Sequence, residues 1–443
     1  MHAKRLTQES KRVHFIGIGG IGVSALAKFH LVKGHTVTGS DLSRSEITAS
    51  LEKQGARIFI GPHMKENLVK GTEVVVYSPA VAQTNPELKE AKRLGIKCLS
   101  YPEVLGFLTK KYFSIAVSGT HGKSTVTAMI GTLMAKAGLD PTVLIGTKVK
   151  EFEDSNCRVG NSNYLVIEAD EHFASFLNYW PKIIVLTSIE ADHLDYYANL
   201  KNVLKSFKQY VSHLGEEGLL VANQDDANIR KIIKSLKVKP RIKYYSLKQK
   251  EAKELKGKME IPGEHNVSNA LAALTVAWIL GINEEFSINH LLGFKGSWRR
   301  FDLKEIVFYG KKIICISDYG HHPTEVKVTL KAVREKYPDK KIWCVFQPHQ
   351  YQRTYYLFKD FVKVFKKVPI NKLIVTDIYD VVGRENKAIK KKVSSLKLVK
   401  AVRNKKVMYL KKNELINFLQ KNVSQFDVLM VMGAGDIYQL DLE

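Results

Sequence analysis

The sequence predicts an α/β protein of three domains, each built around a sheet of mostly parallel strands. Two glycine-rich loops, each placed between an apolar strand and a helix, predict the first two domains. A later series of apolar strands that end in polar residues predicts the third. The expected domains are residues 1–107, 108–296 and 297–443, and a chain of 443 residues is long enough for them.

The first glycine loop follows the apolar strand Val13 to Ile16, and a helix through Val32 follows the loop. The next strand ends at Asp41, 19 residues after Gly22, near the spacing of a ribose-binding carboxylate. A turn cap is the alternative for Asp41. This pattern predicts a Rossmann-like nucleotide-binding domain. Its expected contacts are Gly17, Gly19, Gly20, Gly22 and Asp41.

The second glycine loop, Ser118 to Thr125, follows the apolar run Phe113 to Val117 and precedes a helix. Strand, loop, Gly-Lys-Ser and helix form the arrangement that surrounds phosphate oxygens with backbone N–H groups. Lys123 would place its charge on the outer phosphates, and the Ser124 hydroxyl would reach Mg²⁺. We therefore predict a P-loop ATPase-like central domain. A tight turn without a ligand is the alternative, and it leaves Lys123 without a role.

Carboxylates and a histidine follow two further strands of the central domain. Glu168 follows the strand Tyr164 to Ile167, and His193 follows the strand Ile183 to Thr187. Ligands of open α/β sheets gather at the carboxyl ends of strands, so these residues predict a metal–nucleotide site. Oxygen ligands suit Mg²⁺, whereas histidine is less usual for it. The alternative for His193 is an ordinary surface histidine.

Two asparagines, Asn266 and Asn269, precede the apolar helix Ala270 to Leu280. Their spacing of three places them on one face at the start of a helix. Ligand contact and N-capping are equally good interpretations of this pair.

The C-terminal region contains four strands that end in residues typical of functional sites, which predicts a doubly wound α/β domain. Arg299 and Arg300 stand at its beginning. The four strand ends start at Asp318, Gln347, Asp377 and Gly433.

Composition excludes several classes of protein. The net charge is +25, but no zinc-finger or RNA-binding signature accompanies it, so we expect polyanionic small molecules rather than nucleic acid as partners. No apolar run is long enough for a membrane span, and the N-terminus lacks the apolar segment of a secretory signal. Four scattered cysteines indicate a reduced, cytoplasmic setting. The oligomeric state is not indicated.

Taken together, these motifs resemble the Mur ligase family, ATP-dependent enzymes that form amide bonds in peptidoglycan synthesis. The resemblance covers all three domains. The stretches Asp318 to Glu325 and Gly433 to Ile437 are most similar to the member that joins L-alanine to UDP-N-acetylmuramate. A sibling that recycles murein tripeptide shares the His-Gly-Lys loop. It usually carries Phe-Ala where Tyr319 and Gly320 stand here.

The resemblance implies roles for individual residues. It implies ATP contacts at Gly119, Thr120, His121, Gly122, Lys123, Ser124, Thr125, Asn266, Asn269, Arg300 and Asp318. It implies that Mg²⁺, or Mn²⁺, is held by Ser124, Glu168 and His193. It implies substrate contacts at Gly17, Gly19, Gly20, Gly22, Asp41, Ser78, His349 and Arg353, with the first loop on the UDP pyrophosphate. The catalytic residues would be Lys123, Arg300, His322 and Arg353.

The reaction implied by the resemblance activates the lactyl carboxylate of UDP-N-acetylmuramate as an acyl phosphate, which the amine of L-alanine then attacks. His321, His322 and His349 are candidate proton acceptors by residue type. Two departures from the family pattern, His172-Phe173 after Glu171 and glutamine at position 350, leave glycine or serine open as the amino acid.

Three other functions fit parts of the sequence. One is ligation of murein tripeptide. An NAD-dependent dehydrogenase would use the first glycine loop and Asp41, but it needs only one such loop and gives Lys123 no role. A nucleic-acid-binding protein would rest on charge alone.

Overall fold

The computed structural model describes residues 11–381 and 386–442. The described residues divide into two compact units. Unit 1 contains residues 11–189, 204–245 and 272–287, and unit 2 contains the remainder. Two sheets lie in unit 1 and one in unit 2. Three mainly parallel sheets confirm the predicted α/β class, whereas the predicted domain boundaries stay predictions.

The first sheet has five parallel strands in the order β3-β2-β1-β4-β5. Its strands are β1 (Arg12–Ile16), β2 (Thr36–Asp41), β3 (Arg57–Ile60), β4 (Val74–Tyr77) and β5 (Lys97–Ser100). Its helices are α1 (Ile21–Val32), α2 (Glu46–Lys53), α3 (Pro86–Arg93) and α4 (Tyr101–Lys111). The order reverses between β1 and β4, so the crevice at the ends of these two strands is the expected ligand position.

A buried network of polar side chains joins α3 to the first sheet. Its centre is Glu87, near the start of α3, whose side chain is fully buried. The two carboxylate oxygens lie within 2.9 Å of four side-chain partners, His14, Ser40, His63 and Asn67. Burial opposes ionisation of Glu87, but these hydrogen bonds outweigh it and lower its pKa from 4.5 to about 2. The charged form of Glu87 therefore stabilises the fold.

Replacing Glu87 by glutamine is expected to lower the free energy of unfolding at neutral pH by about 3 kcal/mol, the linkage value of this pKa shift. Because the pKa is lowered in the folded state, the contribution is complete above about pH 4.5 and is lost as the pH falls towards 2. Urea unfolding of Glu87→Gln and of the wild type, from pH 7 to pH 3, measures both effects. Glu90→Gln, at a partly exposed position of α3 where the carboxylate pairs with the exposed Arg93, is the control and should change little. If the free energy of unfolding has the same pH dependence in Glu87→Gln and in the wild type, the stabilising role of the charged Glu87 is contradicted.

The second sheet has seven strands in the order β12-β11-β10-β6-β9-β7-β8, and only the β7–β8 pair is antiparallel. Its strands are β6 (Phe113–Ser118), β7 (Thr142–Val149), β8 (Ser155–Arg158), β9 (Tyr164–Glu168), β10 (Ile183–Leu186), β11 (Leu219–Asn223) and β12 (Arg241–Tyr245). Central strand β6 lies between β9 and β10, and therefore its C-terminal end faces the ends of both neighbours.

The helices of this middle part of the chain lie between its strands and after the last of them. They are α5 (Lys123–Lys136), α6 (Leu194–Tyr197), α7 (Leu200–Val211), α8 (Ala227–Ser235), α9 (Lys250–Leu255), α10 (Glu264–Ile279) and α11 (Glu284–Leu292). Helix α5 is buried from Ser124 to Met134, which explains why its sequence is apolar or small on every side. The second glycine loop is thereby fixed between a central strand and a buried helix.

The third sheet has six strands in the order β13-β14-β18-β15-β16-β17, and only β13–β14 is antiparallel. Its strands are β13 (Asp302–Phe308), β14 (Lys311–Asp318), β15 (Ile342–Phe346), β16 (Lys372–Val375), β17 (Val407–Tyr409) and β18 (Val428–Met432). The helices are α12 (Pro323–Lys336), α13 (Tyr351–Tyr356), α14 (Phe358–Phe365), α15 (Lys387–Lys390), α16 (Ser395–Val402) and α17 (Leu415–Lys421). Strands β14, β18 and β15 are neighbours, so three of the predicted functional strand ends meet at one edge.

None of the described helices is both long and apolar enough to cross a membrane. The four cysteines are all free thiols, two of them buried and two partly buried.

Candidate active site

The second glycine loop is held in a shape that requires its glycines. Gly119 has φ +142°, and a Cβ there would collide with the Thr187 hydroxyl and lie 2.8 Å from the Ser188 carbonyl oxygen. Gly122, with φ +82°, precedes α5 in the left-handed region. The Thr120 N–H donates to the Ser188 carbonyl at 2.7 Å, so the segment after β10 supports the loop. The loop is therefore preformed at the start of α5, as phosphate binding requires.

Lys123 begins α5, and its ammonium lies over the loop. Nζ donates to the Gly119 carbonyl and to Glu171 Oε2, both at 2.7 Å, and lies 4.0 Å from Asp170 Oδ1. Burial lowers the pKa of Lys123, but the carboxylates of Glu171, Asp170 and Glu168 more than compensate and raise it above its ordinary value. Burial raises the pKa of Glu171 to about 7 despite the attraction of Lys123. A permanent cation thus stands at the predicted phosphate position.

Ser124 and Glu168 are brought together beside this cation. Ser124 Oγ donates to Glu168 Oε1 at 3.0 Å, and the Gly146 N–H donates to Glu168 Oε2 at 2.9 Å. A hydroxyl and a carboxylate so close together are hard oxygen donors of the kind that Mg²⁺ and Mn²⁺ prefer. These two residues therefore fit the predicted metal.

The third predicted metal ligand, His193, lies in unit 2 and adopts a left-handed backbone with φ +50°. Its backbone N–H donates to Asp192 Oδ1 at 2.7 Å. Its role as a ligand stays a prediction.

The first glycine loop is closed by the acid predicted to bind a ribose. Asp41 Oδ2 accepts the Gly19 N–H at 2.8 Å, and a Cβ on Gly19 would lie 2.8 Å from the same oxygen. Asp41 therefore fixes the loop itself, a role that the sequence did not indicate. Gly20 precedes α1 without a side-chain cap, an arrangement that suits a bound phosphate. Ser78, after β4, lies next to Gly17 across the predicted crevice.

Tyr101, at the start of α4, is a residue that sequence reasoning missed. A Cβ on Gly22 would lie 3.0 Å from the Tyr101 hydroxyl oxygen. Burial raises the pKa of Tyr101, and the charges of Glu168 and Asp170 raise it further. The tyrosine therefore lies against the first glycine loop and feels the charges of two carboxylates at the end of β9. No periodicity or motif marks it in the sequence.

Unit 2 contains a buried ion pair between Arg353 on α13 and Asp192. Arg353 Nε donates to Asp192 Oδ1 at 3.0 Å, and Arg353 Nη1 donates to His349 Nδ1 at 3.1 Å. Burial alone would raise the pKa of Asp192, but Arg353 holds it well below its ordinary value. Burial lowers the pKa of His349 to about 2, so this imidazole is neutral. The predicted substrate residues Arg353 and His349 thus share one cluster.

A small pocket opens beside this ion pair. Leu194, Tyr356 and Leu357 supply its apolar part, and its charges come from Arg353, Asp192 and Asp195. Gln350, one of the two departures from the family pattern, also lines it and has φ +69°. This combination of charge and apolar surface suits a small amino acid.

The other departure, His172-Phe173, lies in unit 1. The two rings stack at 4.1 Å, and Phe173 has φ +53°. Both departures from the family pattern therefore include a non-glycine residue with a left-handed backbone, a state found often at functional sites.

Asp318 ends β14 and binds backbone N–H groups. Its oxygens accept from the Gly320 N–H at 2.8 Å and the Phe301 N–H at 2.9 Å, and burial raises its pKa to about 6. The Arg300 guanidinium lies 4.8 Å from the centre of the Tyr319 ring. The predicted nucleotide residues Arg300 and Asp318 therefore belong to one corner of unit 2.

Arg299, which the sequence did not distinguish from Arg300, is a buried structural residue. Its guanidinium donates to the Gly433 and Gly435 carbonyls and lies 4.2 Å from the Tyr438 ring centre. It therefore fixes the glycine loop that follows β18.

Asn266 and Asn269 lie inside α10, which begins at Glu264 rather than near the predicted Ala270. Asn266 Nδ2 donates to the Pro262 carbonyl at 2.7 Å, and Asn269 Nδ2 approaches Asn266 Oδ1 at 3.4 Å. The N-capping interpretation is therefore wrong, because neither residue precedes the helix. The shared helix face was predicted, and their ligand role stays a prediction.

His322, predicted to be catalytic, lies at the start of α12. Its Nδ1 accepts the Thr324 N–H at 3.2 Å and thereby caps α12, and its Nε2 lies 3.4 Å from the Ala191 carbonyl oxygen. Both ring nitrogens are engaged with backbone groups. These contacts fix the orientation of the His322 ring, and its catalytic role stays a prediction.

Similarity to known proteins defines the class to which this protein belongs. Three family models match the chain: the Mur ligase family catalytic domain over residues 12–113, the Mur ligase middle domain over 117–277, and the Mur ligase glutamate ligase domain over 299–435. The chain belongs to the Mur ligase family and is a ligase, as the sequence motifs predicted.

Two relatives that share one name match nearly the whole chain. The chain is 40% identical over 460 residues to the UDP-N-acetylmuramate--L-alanine ligase of Caldanaerobacter subterraneus, covering 98% of this chain and 97% of the relative. It is also 40% identical to the ligase of the same name from Aquifex aeolicus, over 98% and 96% of the two chains.

Solved structures share the whole architecture. A UDP-N-acetylmuramate-alanine ligase from Thermotoga maritima superposes with a TM-score of 0.77 at 27% identity, covering 97% of this chain and 96% of the other. A murein peptide ligase from Psychrobacter arcticus superposes with a TM-score of 0.72 at 22% identity over 97% of each chain, which shows a shared fold.

Proposed function

We propose that this enzyme joins L-alanine to the lactyl carboxylate of UDP-N-acetylmuramate, converting ATP to ADP and phosphate. The observation that carries the proposal is the similarity, over nearly the full chain, to relatives named as this ligase. The phosphate loop and the pocket beside the Asp192–Arg353 ion pair support the same conclusion. A dehydrogenase would leave the Lys123 arrangement unexplained.

The ATP half of the reaction is assigned to the second glycine loop. Backbone N–H groups from Gly119 to Thr125 would surround the phosphates, and Lys123 would bind the β- and γ-phosphates. Its raised pKa keeps this lysine charged throughout the working pH range. Asn266 and Asn269 would contact the adenine side, and Arg300 and Asp318 would complete nucleotide binding.

The metal is assigned to Ser124, Glu168 and His193. Bound there, Mg²⁺ or Mn²⁺ would neutralise charge on the transferred phosphoryl group. The 3.0 Å approach of Ser124 to Glu168 supports this assignment.

The sugar nucleotide is assigned to the first glycine loop. The uncapped start of α1 would bind the pyrophosphate, with Gly17 and Gly22 allowing its close approach. Ser78 would contact the same ligand across the crevice, and Asp41 would act mainly by fixing the loop.

The amino acid is assigned to the pocket of unit 2. Arg353 would bind the α-carboxylate, which suits a fixed guanidinium. The apolar side of the pocket, at Leu194 and Leu357, would accept a methyl group.

The chemistry follows from the poor leaving ability of a carboxylate oxygen. The lactyl carboxylate attacks the γ-phosphorus of ATP and becomes an acyl phosphate, and ADP leaves. The alanine nitrogen then attacks the acyl carbon and phosphate departs. Lys123 and Arg300 stabilise the charge that develops on the phosphoryl oxygens, which is where catalysis of phosphoryl transfer acts.

The test measures the release of phosphate when the enzyme is supplied with ATP, Mg²⁺ and UDP-N-acetylmuramate. Parallel reactions contain L-alanine, glycine, L-serine, murein tripeptide or no acceptor. Phosphate release should require the sugar nucleotide and be fastest with L-alanine. The sugar-nucleotide product should be heavier than UDP-N-acetylmuramate by the mass of one alanine residue. Turnover with tripeptide alone would assign the protein to the recycling branch. Release that is independent of the sugar nucleotide would exclude the proposal.

A further inference from the structure

We infer that His321 accepts the proton released when the amine of alanine attacks the acyl phosphate. This inference rests on the proposed function and names a residue for its second step. Three histidines follow strands β14 and β15, and residue type alone does not separate them. Their hydrogen bonds do, because each bond fixes which ring nitrogen carries the hydrogen.

His349 and His322 are held in the wrong form for a base. Arg353 can only donate, so His349 Nδ1 must be an acceptor, and the hydrogen of the neutral ring is on Nε2. His322 Nδ1 accepts a backbone N–H from Thr324, and its Nε2–H is therefore directed to the Ala191 carbonyl. Neither ring offers a lone pair that is not already engaged.

His321 has the opposite arrangement. Its Nδ1 lies 3.1 Å from the Tyr319 carbonyl oxygen and 3.6 Å from Glu325 Oε2, so Nδ1 carries the hydrogen. Nε2 is then a lone-pair nitrogen, and no hydrogen bond from the described residues reaches it. The Glu325 carboxylate also accepts the His321 backbone N–H at 2.9 Å, which holds the backbone of this residue in place. His321 is the histidine of this group whose tautomer suits proton acceptance.

The surroundings keep this nitrogen unprotonated before the reaction. Burial and, to a lesser extent, the Arg353 charge lower the pKa of His321 to about 4, although Glu325 and Asp192 act in the opposite direction. The neutral His349 ring lies 5.9 Å away, centre to centre, and Tyr319 packs edge-on at 5.4 Å. His321 is also near the group assigned to the alanine carboxylate, because the neighbouring His349 ring accepts a hydrogen bond from Arg353.

The step balances without a further reagent. The lone pair of the alanine nitrogen forms the C–N bond, and the bond from the acyl carbon to the phosphate oxygen breaks with its electrons leaving on phosphate. The nitrogen is positively charged after attack, and its proton passes to Nε2. The imidazolium then releases that proton to solvent. A weak base suffices, because the attached ammonium is far more acidic than free alanine.

The experiment compares two acceptors in the full-length enzyme. His321→Asn keeps a donor for the Tyr319 carbonyl but removes the Nε2 lone pair. With L-alanine, ligation should fall by about 10²–10⁴-fold, the usual contribution of general base catalysis. With hydroxylamine, whose nitrogen is already neutral and whose adduct loses its proton readily to water, hydroxamate formation should stay within about threefold of wild type, well below that contribution.

Each outcome decides a separate question. Equal alanine rates in His321→Asn and wild type would overturn the inference and leave the ligase function intact. Equal losses with both acceptors would mean a structural role and also overturn it. Asparagine at position 322 can replace the helix cap. If His322→Asn loses activity only with alanine, and His321→Asn does not, His322 is the base and the inference is overturned. If the wild type itself does not require the sugar nucleotide, the proposed function fails.

Discussion

Replacing Lys123 by methionine should reduce ATP-dependent ligation by at least about 10³-fold, the scale expected when a charge that stabilises the transferred phosphoryl group is removed. The lysine is the cation that lies over the Gly119 to Ser124 loop, and methionine preserves much of its buried stem. Initial rates of phosphate release at saturating ATP, sugar nucleotide and L-alanine measure the effect.

The fold should survive this change. Burial already raises the pKa of Glu171 to about 7, so without Lys123 its carboxyl can remain protonated rather than stay buried as an unpaired anion. Lys136→Met, at the exposed end of α5, is the matched control and should retain activity. Retention of more than a tenth of wild-type activity in Lys123→Met, with the control unchanged, would contradict the phosphate-binding role.

Replacing Asp192 by asparagine should lower the free energy of unfolding by about 3–5 kcal/mol, the cost of leaving a buried charge without its partner. Both side chains of the Asp192–Arg353 pair are less than a tenth exposed, and Arg353 donates to both oxygens of the Asp192 carboxylate. Urea unfolding of the full-length chain at pH 7 gives this value.

The double variant Asp192→Asn, Arg353→Met separates the ion pair from its surroundings. Removing both charges should cost clearly less than the sum of the two single changes, with a coupling energy of about 2 kcal/mol or more. Glu335→Gln breaks the exposed Lys331–Glu335 pair of α12 and serves as the control, with little expected change. If the losses of unfolding free energy in the two single variants simply add up in the double variant, the ion pair contributes no coupling energy.

The strands and both glycine loops were predictable because their signals are local. Val74–Tyr77 and Val428–Met432 are continuous apolar runs, and the structure has these strands with the same limits. A strand followed by glycines and a helix indicates a phosphate loop wherever it occurs in a chain. The charged edge strand β13, with Lys304 and Glu305 exposed, carries no such signal and was missed.

The internal organisation of the sites was less predictable, because it depends on residues far apart in the chain. Glu87 follows Asn-Pro and looks like an ordinary residue of a first helical turn, yet its partners come from three other segments. Asp41 had the right spacing for a ribose contact, but its bond to Gly19 appears only in three dimensions. The tautomers that distinguish His321 from His322 depend on backbone positions in the same way.

The central claim is that the lactyl carboxylate becomes an acyl phosphate before alanine attacks it. UDP-N-acetylmuramate labelled with ¹⁸O in both oxygens of the lactyl carboxylate tests this directly when the wild-type enzyme turns over with ATP and L-alanine. Each phosphate released should carry one ¹⁸O atom, because the attacking oxygen leaves with the phosphoryl group. Phosphate without the label, formed alongside the alanine product, would contradict the proposed route.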